Sequence, residues 1–176
     1  AWGYNGYNQC DVPAGLSNVV ALAAGWGHSA ALLADGMVTN WGNNWYDQCD
    51  VPAGLEAVAV AAGFYHTLAL RSDGTVAAWG NNDSGQCSVP AGLSNAVSVA
   101  AGEYHSAALR ADGTVTAFGN NSYGQSLSPT GLLHAAAVRA GGYNTAVQFG
   151  EWTPVACTPP SGTWIPPGGG SLTVRL

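Results

Sequence analysis

The chain has 176 residues, one domain's worth, with a formal charge of −6, four arginines, no lysine and only 8% charged residues. Without a basic stripe it lacks what nucleic acid or an anionic membrane surface requires, and no apolar run reaches the roughly 18–20 residues of a membrane-spanning helix. Hydrophobic residues at 47% and seven tryptophans are too many for a disordered segment.

The sequence opens on Ala1-Trp2-Gly3, which reads as the end of a hairpin's second strand. With no initiating methionine and no basic, apolar leader, this beginning is expected of a processed chain or of part of a longer one. Trp-Gly returns at Trp41 and Trp79, with Phe118-Gly119 as the fourth copy, at intervals of 39, 38 and 39 residues. A fixed period of this size indicates a solenoid, propeller or stacked array. Each copy continues through a loop to a proline, at Pro13, Pro52, Pro90 and Pro129, which has no N–H for a central strand. The short apolar runs 19–25, 57–63 and 96–102 follow, each suited to a strand covered on both faces. Next come two strands around an Asp-Gly turn, at Asp35-Gly36, Asp73-Gly74 and Asp112-Gly113, because that pair tolerates the backbone of a tight hairpin.

Three strands and a loop per ~39 residues, with no helical period, predict an all-β chain of tandem blade-like repeats over 1–150. The fourth copy decays, with Ser126 for Cys, Arg139 for Ala and Asn144 for His, as terminal repeats do. The segment "YNTAVQF" (143–149) reads as a first strand without an obvious partner. Residues 151–176 form a Pro/Gly-rich extension ending in the strand-like "SLTVRL". A strand missing at one end and a strand unpaired at the other allow internal closure, pairing between chains into a ring or filament, or excision from a longer array.

"AWGNNDSGQCSVPAGLSNAVSVAAGEYHSAALRADGTV" resembles the repeat of the regulator of chromosome condensation superfamily of β-propellers, and most closely the compact bacterial repeats of the propeller-type β-lactamase inhibitory protein. The resemblance covers about residues 1–150 through Trp-Gly-x-Asn, Gly-Gln, Val-Pro, Ala-Ala-Gly-x-x-His and Asp-Gly. It implies propeller blades. Since that family closes seven blades and this chain carries about three and a half, it implies a partial propeller or one completed between chains.

Residues that recur in register read as parts of a building unit. His28, His66 and His105 share one slot, suited to satisfying backbone groups at a strand start; a metal-binding ring of histidines is the sharper alternative. Asp35, Asp73 and Asp112 read as turn-formers, and Trp41 and Trp79 as packing between units. Cys10, Cys49 and Cys87 recur at a small position, and Cys157 in the extension is a candidate to staple the tail to one of them. Four cysteines allow three pairings, and their spacing is unlike a zinc motif.

Binding is expected where the copies differ. The turns after Ala-Ala-Gly carry Trp26, Phe64-Tyr65, Tyr104 and Tyr143, and the loops after Trp-Gly carry Tyr4 and Tyr7, Trp45-Tyr46 and Tyr123. Aromatic residues on loops of a rigid scaffold suit a protein or a glycan, and the resemblance to the inhibitory protein implies that such loops face the partner. The expected function is a non-catalytic extracellular scaffold acting by protein binding or self-assembly, including with its own copies. The alternative is an inhibitor or receptor-like module using the aromatic loops. No cofactor, metal, nucleic acid or membrane insertion is expected, and no nucleophile–base pair marks an enzyme.

Overall fold

The computed structural model describes residues 1–128 and 132–150. Pro129, Cys157 and the extension 151–176 with its terminal strand lie outside the described residues. The first unit contains β1 (Val19–Ala24), β2 (His28–Leu33) and β3 (Val38–Gly42), paired antiparallel in that order. The second repeats it with β4 (Ala59–Ala62), β5 (His66–Leu70) and β6 (Val76–Gly80), and the third with β7 (Ala96–Ala101), β8 (His105–Arg110) and β9 (Val115–Gly119). The fourth has β10 (Ala135–Ala140) paired with β11 (Thr145–Phe149). The strand read at 143–149 therefore finds its partner within its own unit, and Ala1–Gly3 stays outside any strand among the described residues.

The hairpins form where the sequence places them. Asp73 Oδ1 accepts hydrogen bonds from the Thr75 backbone N–H (2.9 Å) and hydroxyl (2.6 Å), and Gly74 takes the positive φ (78°) that closes the turn. Asp112 and Thr114 repeat these contacts. The aspartates are thus engaged as turn-formers.

No unit has a core of its own, because each sheet is too thin to bury both faces. Leu32 and Val38 of the first unit pack with Leu55, Ala69 and Trp79 of the second. Leu70 and Val76 pack with Leu93, Ala108 and Phe118 of the third, and Leu109 and Val115 with Val138 of the fourth. The strands β1, β4, β7 and β10 run next to one another as the inner row, where Ala and Gly permit close approach. These strands are not covered on both faces as their sequence implies. A bulge at Val20, Val97 and Ala136 breaks the register and turns those residues to solvent. The array is also open at its front. Leu22 is 71% exposed, whereas Val138 in the same slot of the fourth unit is fully buried.

Candidate functional site

Two sets of segments meet at one end of the strands: the turns after the inner strands and the loops after β3, β6 and β9. Each turn is shaped by its histidine. His28 Nε2 lies 3.0 Å from Thr67 Oγ1, His66 Nε2 3.0 Å from Ser106 Oγ, and His105 Nε2 2.9 Å from Thr145 Oγ1, so every ring reaches into the following unit. The hydroxyls themselves donate to the main-chain carbonyls of Gln48, Gln86 and Gln125. They must therefore accept from the imidazoles, which assigns the Nε2–H tautomer and leaves Nδ1 buried without a partner. Burial holds the His28 pKa down at about 4 and that of His66 at about 3, and lowers that of His105.

The sequence suits these rings to satisfying backbone groups at a strand start. The structure corrects this, because stacking brings a neighbour's hydroxyl within closer reach. Nor do the rings join in a metal site: among the described residues no group of three or more His, Cys, Asp or Glu could hold an ion.

The loops are held by a glutamine and two asparagines. Gln48 Oε1 accepts from the Tyr46 N–H (2.9 Å), its Nε2 donates to Asn43 Oδ1 (2.8 Å), and its carbonyl also receives the Trp79 indole N–H (3.0 Å). Gln86 repeats the pattern with Ser84 and Asn81, and Gln125 with Tyr123 and Asn120. The second asparagine of each pair, Asn44, Asn82 or Asn121, accepts the backbone N–H of Cys49, Cys87 or Ser126. Glycine, asparagine and glutamine thus serve to fix loop shape and offer no reacting group.

The cysteine slot lies within the described residues for its three repeat members, while a bridge to Cys157 falls outside them. Cys10, Cys49 and Cys87 are not bonded to one another. Their thiols donate to the carbonyls of Tyr4, Asn43 and Asn81, each six residues back, and the Ser126 hydroxyl does the same to Asn120. A small donor is needed at this slot, and either side chain supplies it. Burial raises the thiol pKa to about 11 at Cys49 and about 12 at Cys87, which keeps both protonated and inert at neutral pH.

On this frame the aromatic residues converge. Trp26 stacks on Phe64 with ring centroids 4.9 Å apart and planes 20° from parallel, and meets Tyr65 edge-on at 5.4 Å. Tyr65 contacts Phe64 and Tyr46, and Phe64 contacts Tyr104. Tyr7 joins Trp26 to Trp45 at 5.3 and 5.2 Å, and Tyr4 extends the row. Tyr123 and Tyr143 form a further edge-on pair. Much of this surface faces solvent, with Trp45 68% and Trp26 44% exposed. Part-burial raises the Tyr65 and Tyr104 phenols, while Glu103, first through a side-chain hydrogen bond and then through its charge, raises Tyr143. Between Trp26, Phe64 and Glu103 lies a cleft of about 280 Å³, otherwise lined by alanine and glycine. Trp26, Trp45, Tyr46, Phe64, Tyr65 and Tyr104 are brought together as one face, whereas Tyr123 and Tyr143 form a separate ring pair that reaches this face through Glu103. Tyr7, one of the loop aromatics, shares the slot of Tyr46 and Tyr123, two residues before the glutamine, and joins this face.

Comparison with known proteins agrees with this architecture. Curated sequences give no match. Among solved structures, Prp20p from Saccharomyces cerevisiae is similar at a TM-score of 0.69 and 20% identity, over 83% of this chain and 50% of that one. The CRINKLY WD40 ectodomain of the Arabidopsis thaliana receptor kinase ACR4 is similar at 0.61 and 23%, over 74% and 45%. The ectodomain of the Physcomitrella patens receptor kinase CR4 is similar at 0.61 and 25%, over 71% and 34%. The chain thus spans half or less of each of these structures. The model of the Regulator of chromosome condensation (RCC1) repeat matches residues 19–48, 57–86 and 96–125, just over half of the chain. With three matched copies and blades that stack as a partial propeller, the chain belongs to the RCC1 repeat family.

Proposed function

We propose that this chain is a non-catalytic protein-binding module of the cell exterior that takes its partner on the aromatic face. The observation that carries the reading is the unbroken row of ring contacts from Tyr4 to Tyr104, whose members pack on one another and still present surface to solvent. Rings already held by their neighbours lose little freedom when a partner arrives, which favours binding. One similar protein, yeast RCC1 (Prp20p), is described by protein binding in two structures: by its binding to Gsp1p and histones, and, at 26% identity over 74% of this chain, by its complex with Kap60. The exterior setting is supported by the lysine-free, tryptophan-rich composition and by the occurrence of similar propellers in receptor-kinase ectodomains. The non-catalytic reading is supported by the occupation of the recurring polar groups in turns and between units.

The test is an alanine series at Trp26, Trp45, Phe64 and Tyr65 against partners captured on the immobilised protein. At least one substitution is expected to weaken binding by more than about 1 kcal/mol. Equal binding by the whole series rejects the face. A captured ligand that proves to be glycan would change the class of partner and not the surface.

A second reading, self-assembly, is favoured by the uncovered front of the first unit. Leu22 stands where Val60 and Val138 each meet a preceding blade. The Ser29 hydroxyl donates to the Gln9 carbonyl (2.9 Å) as its counterparts do, yet receives no imidazole from a preceding unit among the described residues. A blade-to-blade contact between copies is directional and builds rings or filaments. Sedimentation velocity is expected to show concentration-dependent association that Leu22→Asp abolishes. A wild-type monomer at every concentration removes this reading.

A further inference from the structure

We propose that the cleft between Trp26, Phe64 and Glu103 binds a cationic side chain, the guanidinium of an arginine or the ammonium of a lysine, presented by the protein partner. This rests on the protein-binding reading of the aromatic face and names the chemistry at its centre. One wall is the stacked pair of Trp26 and Phe64, and the part of the Trp26 indole left exposed offers its π-system to a cation. The other is the Glu103 carboxylate, which lies across Gly142, with Oε2 3.5 Å from where a Cβ on that residue would stand. The rest of the lining is alanine and glycine from the ends of the inner strands and their turns, so no large side chain fills the cleft. A volume of about 280 Å³ accommodates one long side chain and excludes a folded element.

Charge decides what kind of side chain enters. The surrounding loops add the exposed carboxylates of Asp47 and Asp83, and among the described residues no arginine or lysine lines the cleft. Arg71 and Arg110 stand at the far ends of β5 and β8, beside the Asp-Gly turns, whereas His66 and His105 mark the near ends. Arg139 donates from Nη1 to the Val138 carbonyl (2.8 Å) on the inner strand of the fourth unit. The negative charge over the cleft is therefore left for a cation from outside, and a chain of formal charge −6 attracts a basic partner at long range. A carboxylate beside aromatic rings also discriminates: an apolar side chain gains the rings but leaves the Glu103 charge desolvated with only the Tyr143 hydroxyl beside it, which disfavours it.

The experiment is an NMR titration of the whole chain with Nα-acetyl-arginine amide and with its neutral isostere, Nα-acetyl-citrulline amide. It follows the Trp26 indole N–H, assigned through Trp26→Phe. The arginine probe is expected to shift this signal saturably and to bind about tenfold more tightly than the citrulline probe. Glu103→Gln is expected to abolish that preference while leaving the weaker citrulline binding as it was. Equal binding of the two probes, no saturable shift with either, or an unchanged preference in Glu103→Gln would each overturn the proposal. The two readings separate in partner capture: loss on Trp26→Ala with full retention on Glu103→Gln keeps the protein-binding face and rejects the cation site. Unchanged capture on Trp26→Ala, with the probes still discriminated by Glu103, does the reverse.

Discussion

Acidification from pH 7 to pH 4 is expected to strip the protein of most of its stability through its buried histidines. His28, His66 and His105 are buried as neutral rings, and burial holds the first two at about pH 4 and about pH 3. In the unfolded chain each titrates near 6.5. Below 6.5 the unfolded state binds protons that the folded state refuses, so stability falls with pH through this window and levels off only once the folded rings protonate. Each ring contributes a slope of about 1.4 kcal/mol per pH unit, on the order of 3 kcal/mol or more for each of His28 and His66, out of the 5–15 kcal/mol typical of a domain. Asp73 and Asp112 act lower down: hydrogen bonds from Thr75 and Thr114 hold their carboxyls below 3.8, so what they contribute is present above that pH and lost beneath it. Urea unfolding followed by tryptophan fluorescence at pH 7, 6, 5 and 4.5 measures the effect. A flat stability over that range would show that the imidazoles are not buried neutral between units.

Replacing Gly63 by alanine is expected to destabilise the fold by about 3 kcal/mol or more, whereas Gly54→Ala loses only about 1 kcal/mol. A methyl group on Gly63 would overlap the His66 ring and stand 2.6 Å from the Gly102 carbonyl oxygen of the next unit. The ring is tied to Ser106 and the carbonyl belongs to backbone, so neither can yield. Gly54 has a positive φ of 70° but nothing within 4 Å of the added carbon. The pair separates steric exclusion from backbone conformation. Denaturant midpoints that agree for the two variants would refute the argument, and an insoluble Gly63→Ala beside a folded Gly54→Ala would support it.

Which parts of this architecture are legible in the sequence follows from the range of the contacts. The Asp-Gly turns and the strands around them depend on residues a few positions apart, so "HTLALRSDGTVAAWG" specifies β5 and β6 almost to their ends. The repeat period then supplies three-stranded units. The partner of each histidine is 39 or 40 residues away, and only side-by-side stacking of units brings them together. A signal was nevertheless present: Ser29, Thr67, Ser106 and Thr145 place a hydroxyl after every histidine or asparagine of the slot. Ser126 likewise marks the cysteine position as one for a small donor, since a serine in register keeps the hydrogen bond to the carbonyl six residues back. The aromatic loops were recognisable because they vary on an otherwise constant frame. That Trp26 would lie flat on Phe64 depends on the rotation between units, which no local pattern encodes.

The imidazole-to-hydroxyl bond has a direction, because every unit extends a ring forward and offers an oxygen behind. A tandem duplication of one whole period would carry both halves of this latch and slot between existing neighbours without redesign. A partial copy would bring only one half of the latch. Copy number is thus the dimension along which such a gene can change in single steps, and the number of aromatic turns on the face grows with it.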